Sequence, residues 1–358
     1  MTEDMLALPV YGLAHAEKRA FLTRELVALT KLHAANCPEY ARMLAAARVD
    51  PDRVTDYAEL PALPVRLFKE FSLKSVPDEA LHRTMTSSGT TGQQVSRIYL
   101  DRETSALQSK ALAKIVETAL GGARLPMLIL DTSALIKNRA MFSARGAGVL
   151  GFSMFGRERV YALNENMQLD VEGVKAFLDK HSGETVFLFG FTFMVWQYFV
   201  AELKRLGWKP DLRNAVLIHG GGWKKLADQA ISREAFHQAL QDACGVTRVL
   251  DYYGMVEQTG SIFLECEHGH LHAPVWGDVI IRRAEDFAQA AVGERGLIEV
   301  VSVLPRSYPG HVLLTEDEGR LLGEDDCPCG RKGKYFTVLG RIKRAEMRGC
   351  SDTYEQKR

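Results

Sequence analysis

The chain has 358 residues, enough for two or three domains or one large unit with an attachment, and its 46% hydrophobic and 25% charged content is that of an ordinary soluble globular protein. With 45 basic and 45 acidic residues and a net charge of +0, no field points to nucleic acid or to a membrane surface. No apolar run approaches the ~20 residues that span a bilayer, so no membrane span is expected.

The opening MTEDMLALPVYG puts acids where a secretory leader needs positive charge, so the expected location is the cytoplasm. In so long a cytosolic chain, six cysteines are expected to be thiols or metal ligands rather than disulfides. Helical spacing predicts a helix over 15–32, with Phe21, Leu22, Leu26 and Leu29 on one face, and another over 40–46. Two prolines in LPALPVRLFK, residues 60–69, predict an extended strap. Strands are expected at 83–86 and 96–100, then a helix over 103–120 and an apolar strand at 127–130 ending at Asp131. The strand pattern returns at 186–189, 216–218 and 249–253, with a helix expected over 191–206. Short apolar strands alternating with helices predict an α/β layer with a largely parallel sheet. Beyond 273, strands at 279–282, 297–303 and 311–314 follow one another without helices, as in a barrel or meander. The expected division is an N-terminal helical and strap segment to residue 80, an α/β core over 81–272, a β-rich subdomain over 273–340, and a mobile charged tail over 341–358.

Between the strands at 83–86 and 96–100 stands an unbroken small-residue run: Ser87, Ser88, Gly89, Thr90, Thr91 and Gly92. Glycine lets backbone N–H groups approach an anion and the hydroxyls add hydrogen bonds, so the run reads as a phosphate clamp. It is not a Walker A loop, because no Gly-Lys-Ser/Thr follows. The plainer alternative is a solvated turn. Ligands of an open parallel sheet gather beyond the carboxyl ends of its strands. Those ends carry Gly220, Gly221 and Gly222, and then Asp251-Tyr-Tyr253-Gly254-Met-Val-Glu257. A second cluster is Cys266-Glu-His-Gly-His-Leu-His272 with Cys327-Pro-Cys329-Gly, where the glycine frees a turn that aims both sulfurs at one point.

The hairpin loop, the glycine turn, YYGMVE, Leu314-Thr-Glu-Asp317 and Gly340-Arg341 occur in the order seen in adenylate-forming enzymes, the acyl-CoA ligase-like superfamily. Within it, LPALPVRLFK, SSGTTGQQVSRIYLD, YYGMVEQTGSIF and LGRIKRAEMRGCSDTY resemble the acyl-protein synthetases that supply fatty acid to bioluminescence reductases, over most of the chain. The resemblance implies the N-terminal core of an adenylate-forming enzyme, with parallel sheets, helices and a β-rich subdomain, lacking the large C-terminal domain. It implies ATP-dependent formation of an acyl-adenylate from a fatty acid and acyl transfer to a protein cysteine. Expected partners are a fatty acyl reductase and an acyltransferase, in a homo- or hetero-oligomer.

Residue by residue, Ser87, Ser88, Gly89, Thr90, Thr91 and Gly92 would hold phosphates, Thr90 with a catalytic part. Glu257 would hold Mg²⁺ and Asp317 the ribose. Arg341 would add a ribose or phosphate contact. Tyr253 and Gly254 would lie at the adenine, with Gly220 to Gly222 along its edge. Phenylacetate-CoA ligase-like members suggest Zn²⁺ on Cys266, His272, Cys327 and Cys329, with His268 or His270 able to replace His272; four closed ligands make such a zinc structural. The run FLFGFTFMVW, 187–196, lies where the superfamily builds its acyl pocket, with Gly190 and Phe191 as candidate lining; core packing explains it equally well. Cys350 matches the acylated cysteine of the C-terminal arm. Departures are Val256 for a threonine, Glu316 for a glycine, and the expected absence of the C-terminal-domain lysine, for which Lys343 is a candidate. An acyl- or aryl-CoA ligase and an inactive nucleotide-binding scaffold are the competing readings.

Overall fold

A computed structural model of the chain describes residues 2–87, 95–137, 144–223 and 228–342. Its strands in chain order are β1 (Leu63–Pro64), β2 (Leu81–Thr86), β3 (Arg97–Asp101), β4 (Leu125–Thr132), β5 (Gly156–Leu163), β6 (Val186–Phe191) and β7 (Ala215–Gly220). They continue as β8 (Arg248–Tyr253), β9 (Phe263–Glu265), β10 (Leu271–His272), β11 (Gly277–Arg282), β12 (Arg295–Ser302), β13 (Val312–Glu324) and β14 (Lys334–Arg341).

The apolar runs become strands buried on both faces, which is why they read as continuous hydrophobic sequence. In β4 and β6, Leu128, Leu130 and Leu188 face one layer, whereas Met127, Ile129, Phe187 and Phe189 face the other. The register Leu128↔Leu188 keeps each set together. Strands β5-β4-β6-β7-β8 are parallel. From β8 the same sheet continues antiparallel through β9, β10, β14, β13, β12 and β11. The β-rich part is therefore hydrogen-bonded into the parallel part.

Helix Arg102–Leu120 starts on Asp101, whose carboxylate accepts the Thr104 N–H at 2.8 Å, and Gly121 follows it with φ 77°. It covers the Ile129 face with helix Ala144–Ser153. Helices Val171–Lys180 and Arg233–Cys244 cover the Leu188 face. Between β6 and β7 the expected helix over 191–206 is present as one continuous run over 192–206 with a π-turn inside it. Thr192–Met194 and Ala201–Leu206 are α-helical, Val195–Val200 is a π-turn, and Phe191 belongs to β6. π-turns are inserted where a helix must re-aim side chains, often at functional sites.

The strap is extended only at β1, which pairs in parallel with β13; the chain then turns helical at Leu67–Glu70, so the prolines govern only its first half. Strand β13 runs ten residues past the expected Leu314, because bulges at Glu318/Gly319 and Leu321/Gly323 let a non-alternating sequence stay paired with β14. Arg341 ends β14 rather than opening a tail. The two-stranded ribbon β2–β3 packs Ile98 and Leu100 against the antiparallel half.

Helix His15–Asn36 is held to that half by buried polar pairs. His33 Nδ1 lies 2.8 Å from Ser75 Oγ, His311 Nε2 lies 2.9 Å from Thr30 Oγ1, and the two rings are 4.8 Å apart. Tyr40 and Arg306 are the other titratable groups against them. Burial holds His33 down at about 4 and His311 well below its ordinary value. An unfolded histidine titrates near 6.5, so between pH 6.5 and 4 the unfolded chain takes up protons that the folded chain refuses. Stability is full above that window and falls as pH drops through it, by on the order of 3 kcal/mol for His33 alone. The urea midpoint should decline from pH 7 to pH 5, and His33→Gln should flatten the slope; a midpoint independent of pH there would contradict this origin.

Candidate active site

The parallel strands end at one edge, at Thr132, Leu163, Phe191, Gly220 and Tyr253. After β4 the chain passes to the Ile129 face, where Val149 and Phe152 pack. After β6 it passes to the Leu188 face, with Val195, Phe199 and Leu203. Adjacent strands whose connections leave to opposite faces open a crevice, the place where open α/β sheets bind ligands. At the end of β4, buried Asp131 faces Arg145, with Oδ2 and Nε 3.1 Å apart. Arg145 also reaches the Met194 sulfur at 3.7 Å. Neither residue stood out in the sequence, because their partnership needs the fold to join 131 and 145.

Gly221 and Gly222 have φ 76° and 63°, a backbone that only glycine adopts without strain. A Cβ on Gly220 would stand 2.6 Å from the Tyr252 ring. The Phe191 ring is wedged beside this turn, so that a Cβ on Gly148 or Gly221 would come within 2.8 or 2.6 Å of it. Gly190 belongs to the opposite layer, closed by Leu130 and Val195, where a Cβ would meet atoms at 2.9 and 3.0 Å. One residue of strand separates them, so they face opposite sides of the sheet. Below the turn, buried His219 places Nδ1 3.0 Å from Thr192 Oγ1, which donates to Gly220 O at 3.1 Å. Burial holds that imidazole down at about 3, so it stays neutral.

Tyr253, at the end of β8, donates its hydroxyl to Asp317 Oδ2 at 2.8 Å across 64 residues of sequence. Pairing of Asp317 with Arg341 between β13 and β14 sets the guanidinium Nε 3.7 Å from Asp317 Oδ1. Thr315 fixes the acid's backbone: its hydroxyl accepts the Asp317 N–H at 3.1 Å and donates to Ile298 O at 2.8 Å. Glu257 follows Gly254 in a short 3-10 turn and is buried. Burial raises its carboxyl above the ordinary value, while Ser96, Lys69 and Arg341 draw it back down. The Glu257 carbonyl accepts the Tyr308 hydroxyl at 2.9 Å. Ser87 closes the base of the β2–β3 ribbon, where its N–H donates to Ser96 O at 3.2 Å and its hydroxyl accepts the Ser96 N–H at 2.9 Å. Ser88, Gly89, Thr90, Thr91, Gly92 and Cys350 lie outside the described residues. Tyr253, Glu257, Asp317, Arg341 and the glycine turn thus meet at one edge. That edge offers a carboxylate for a hydroxylated sugar, an aromatic face, open backbone, and a buried acid suited to a cation.

A second cluster gathers where β9, β10 and the β13–β14 turn meet. Cys266 follows β9, His272 is in β10, and Cys327 and Cys329 occupy the β13–β14 turn. Their donor atoms all lie within 4.8 Å of one another. Sulfur separations are 4.0 Å for Cys266 to Cys327 and 3.3 Å for Cys327 to Cys329, and Cys329 Sγ is 3.4 Å from His272 Nε2. Tetrahedral bonds of about 2.3 Å to sulfur imply edges of about 3.7 Å. The donor set fits such an ion. Of the three nearby histidines, His272 joins it; His270 instead contacts Cys327 Sγ through Nδ1 at 3.2 Å, and both rings stack on Tyr335.

The family model described as "Acyl-protein synthetase, LuxE" matches residues 4–358. The chain is similar to a "Long-chain-fatty-acid--luciferin-component ligase" of Vibrio harveyi, at 24% identity over 85% of this chain and 79% of the relative. It is similar to a protein of the same name from Aliivibrio fischeri, at 25% identity over 84% and 79%. Among solved structures it resembles 2-hydroxyisobutyryl-CoA ligase in its postadenylation state with 2-HIB-AMP, with TM-score 0.71, 14% identity, and coverage of 92% of this chain and 69% of that one. A likeness at that identity shows a shared fold.

Proposed function

Because the chain belongs to the acyl-protein synthetase family LuxE, we propose that it is an acid–thiol ligase that activates a long-chain fatty acid with ATP and passes the acyl group to a protein cysteine. The observation that carries this reading is the Tyr253–Asp317–Arg341 constellation beside buried Glu257 at the carboxyl edge of the parallel strands. Asp317, oriented by the Tyr253 hydroxyl and by Thr315, accepts hydrogen bonds from ribose hydroxyls. Tyr253 and the Gly220 to Gly222 backbone flank the base. The 87–92 loop surrounds the phosphates with donors, and Glu257 would hold Mg²⁺, which when bound neutralises phosphate charge. The acid's carboxylate attacks the α-phosphorus, the bond to the β-phosphate breaks, and pyrophosphate leaves with the electron pair. A cysteine thiolate then attacks the acyl carbonyl and AMP departs.

Phe191, beside the glycine turn, belongs to the acyl pocket in this reading, with the crevice between β4 and β6 behind it; Gly190 contributes close packing rather than lining. Zn²⁺ on Cys266, His272, Cys327 and Cys329 is structural. The partner that consumes the thioester is a fatty acyl reductase, and an acyltransferase and oligomeric assembly belong to the same pathway logic. A location in the cytoplasm goes with these partners; no described helix is long and apolar enough to cross a membrane. The test is ATP–pyrophosphate exchange that requires fatty acid, together with hydroxylamine-sensitive acyl label on the protein without coenzyme A. Label or thioester formed only on coenzyme A would favour the CoA ligase reading. Absence of exchange with any medium- or long-chain acid would leave a nucleotide-binding scaffold.

Glu257→Gln keeps shape and removes the charge, so exchange should fall by roughly 100-fold and demand more Mg²⁺. Burial raises this carboxyl, so its charged form is lost at a higher pH than that of free glutamate. The Mg²⁺ requirement of the wild type should therefore rise on acidification, and titrations at pH 5 and 7.5 check this. Equal requirements at both would remove Glu257 from the metal site.

A further inference from the structure

The strap brings a second cation to the Glu257 segment. Leu63 and Pro64 of β1 pair with Leu313 and Leu314 of β13, and the Val65 N–H donates to Leu314 O at 3.0 Å. Strand β13 continues into Thr315, Glu316 and Asp317, while the strap leaves it and turns helical at Leu67–Glu70. Phe68 is buried in that turn and meets the Tyr308 ring edge-on at 6.1 Å. Tyr308 in turn accepts from Gln108 Nε2 at 3.2 Å and donates to the Glu257 carbonyl. The turn is thereby anchored to the segment that carries Glu257.

Lys69 follows Phe68 and is half-buried. Arg66 and Glu70, its neighbours, pair with each other at 3.6 Å. Among the described residues no carboxylate lies within 4 Å of the Lys69 ammonium, although its charge is felt at Glu257 together with that of Arg341. Arg341 already faces Asp317. A partly desolvated lysine without a carboxylate, held beside a buried acid, suits an anion that arrives with its own metal.

We propose that Lys69 contacts the polyphosphate of ATP at the Glu257 end of the site and stabilises the charge that gathers on pyrophosphate as it leaves. This rests on the ligase reading above. When the carboxylate attacks the α-phosphorus, the electron pair of the breaking bond moves onto the β-phosphate oxygen. The ammonium donates hydrogen bonds to that oxygen and remains protonated, so no proton moves. Acyl transfer from a preformed acyl-adenylate expels AMP, not pyrophosphate, and does not need this lysine.

The test compares wild type, Lys69→Met and Lys69→Arg in two assays and by thermal melting. Lys69→Met should lower the kcat of acid-dependent pyrophosphate exchange roughly 10- to 1000-fold. Its labelling by synthetic acyl-adenylate should stay within about threefold of wild type. Lys69→Arg, which keeps the charge, should retain more exchange than Lys69→Met. Undiminished exchange in Lys69→Met overturns the proposal, and so does a parallel loss of labelling from acyl-adenylate, which would mean a structural role. If Lys69→Met melts early, the comparison rests on Lys69→Arg, and exchange there no better than in Lys69→Met overturns it. Should the wild type itself show no exchange, the ligase reading falls and the lysine's role with it; exchange in wild type and Lys69→Met alike removes only the lysine.

Discussion

Cys350→Ser is expected to leave acid-dependent pyrophosphate exchange within about twofold of wild type and to abolish hydroxylamine-sensitive acyl labelling of the protein. Adenylate formation precedes transfer, so removing the acceptor spares the first half-reaction. The five described cysteines are poorly suited to accept an acyl group. Cys37 and Cys244 are buried, and burial raises both thiols, Cys244 to about 11. Cys266, Cys327 and Cys329 face one another in the cluster with His272. Cys350 lies outside the described residues, but Arg341, nine residues before it, stands beside Asp317. At ~3.3 Å per residue, that span reaches about 30 Å, enough for any atom of the site. Lys343, Arg344 and Arg348 precede the cysteine, and nearby cations favour the thiolate. Label that persists in Cys350→Ser would move the acceptor to another cysteine. Loss of both activities would mean that the segment completes the adenylation site.

The parallel half was legible because strands buried on both faces must be apolar throughout, as in 127–130 and 216–218. The antiparallel half was legible only in part. Thr315 to Glu318 is too polar to read as a strand, yet the bulges that keep β13 paired to Glu324 are what align Asp317 with Arg341. Asp317 and Arg341 were therefore found through their motifs, not through periodicity. Lys69 and Ser96 lay within quoted motifs without a role of their own and Arg145 lay in none; their places depend on β1 pairing with β13, on the ribbon base, and on the helix that packs on the Ile129 face. Gly190 and Phe191 illustrate the opposite limit: adjacency in sequence suggested one pocket, while strand alternation sends them to different layers. Among His268, His270 and His272, spacing left the choice of ligand open. Pairing of His272 with Leu264 and Tyr335 in β10 decides it, by aiming Nε2 at Cys329.

Purified protein should contain about one zinc per chain, and Cys329→Ser should lose it and melt roughly 10 °C lower. The four donors come from two turns that are far apart in sequence, 266–272 and 327–329. In the sheet, β9 borders β8, the last parallel strand, and β10 borders β14. An ion held there would bind the end of the parallel half to the β13–β14 hairpin across that seam. Burial pushes the Cys266 and Cys327 thiols up, so without a cation the cluster holds neutral thiols in loose contact. Metal binding stabilises only the folded arrangement, and the cost of losing it falls on stability. The same hairpin carries Asp317 and Arg341 at its far end, where the Tyr253 hydroxyl and the Ile298 carbonyl hold the site independently of the cluster. Pyrophosphate exchange by Cys329→Ser at low temperature should therefore stay within a few-fold of wild type and fail early on warming. Metal-free wild-type protein with the same melting temperature would refute the site. Immediate loss of exchange in the cold would show that the cluster governs the nucleotide edge through the hairpin rather than stability alone.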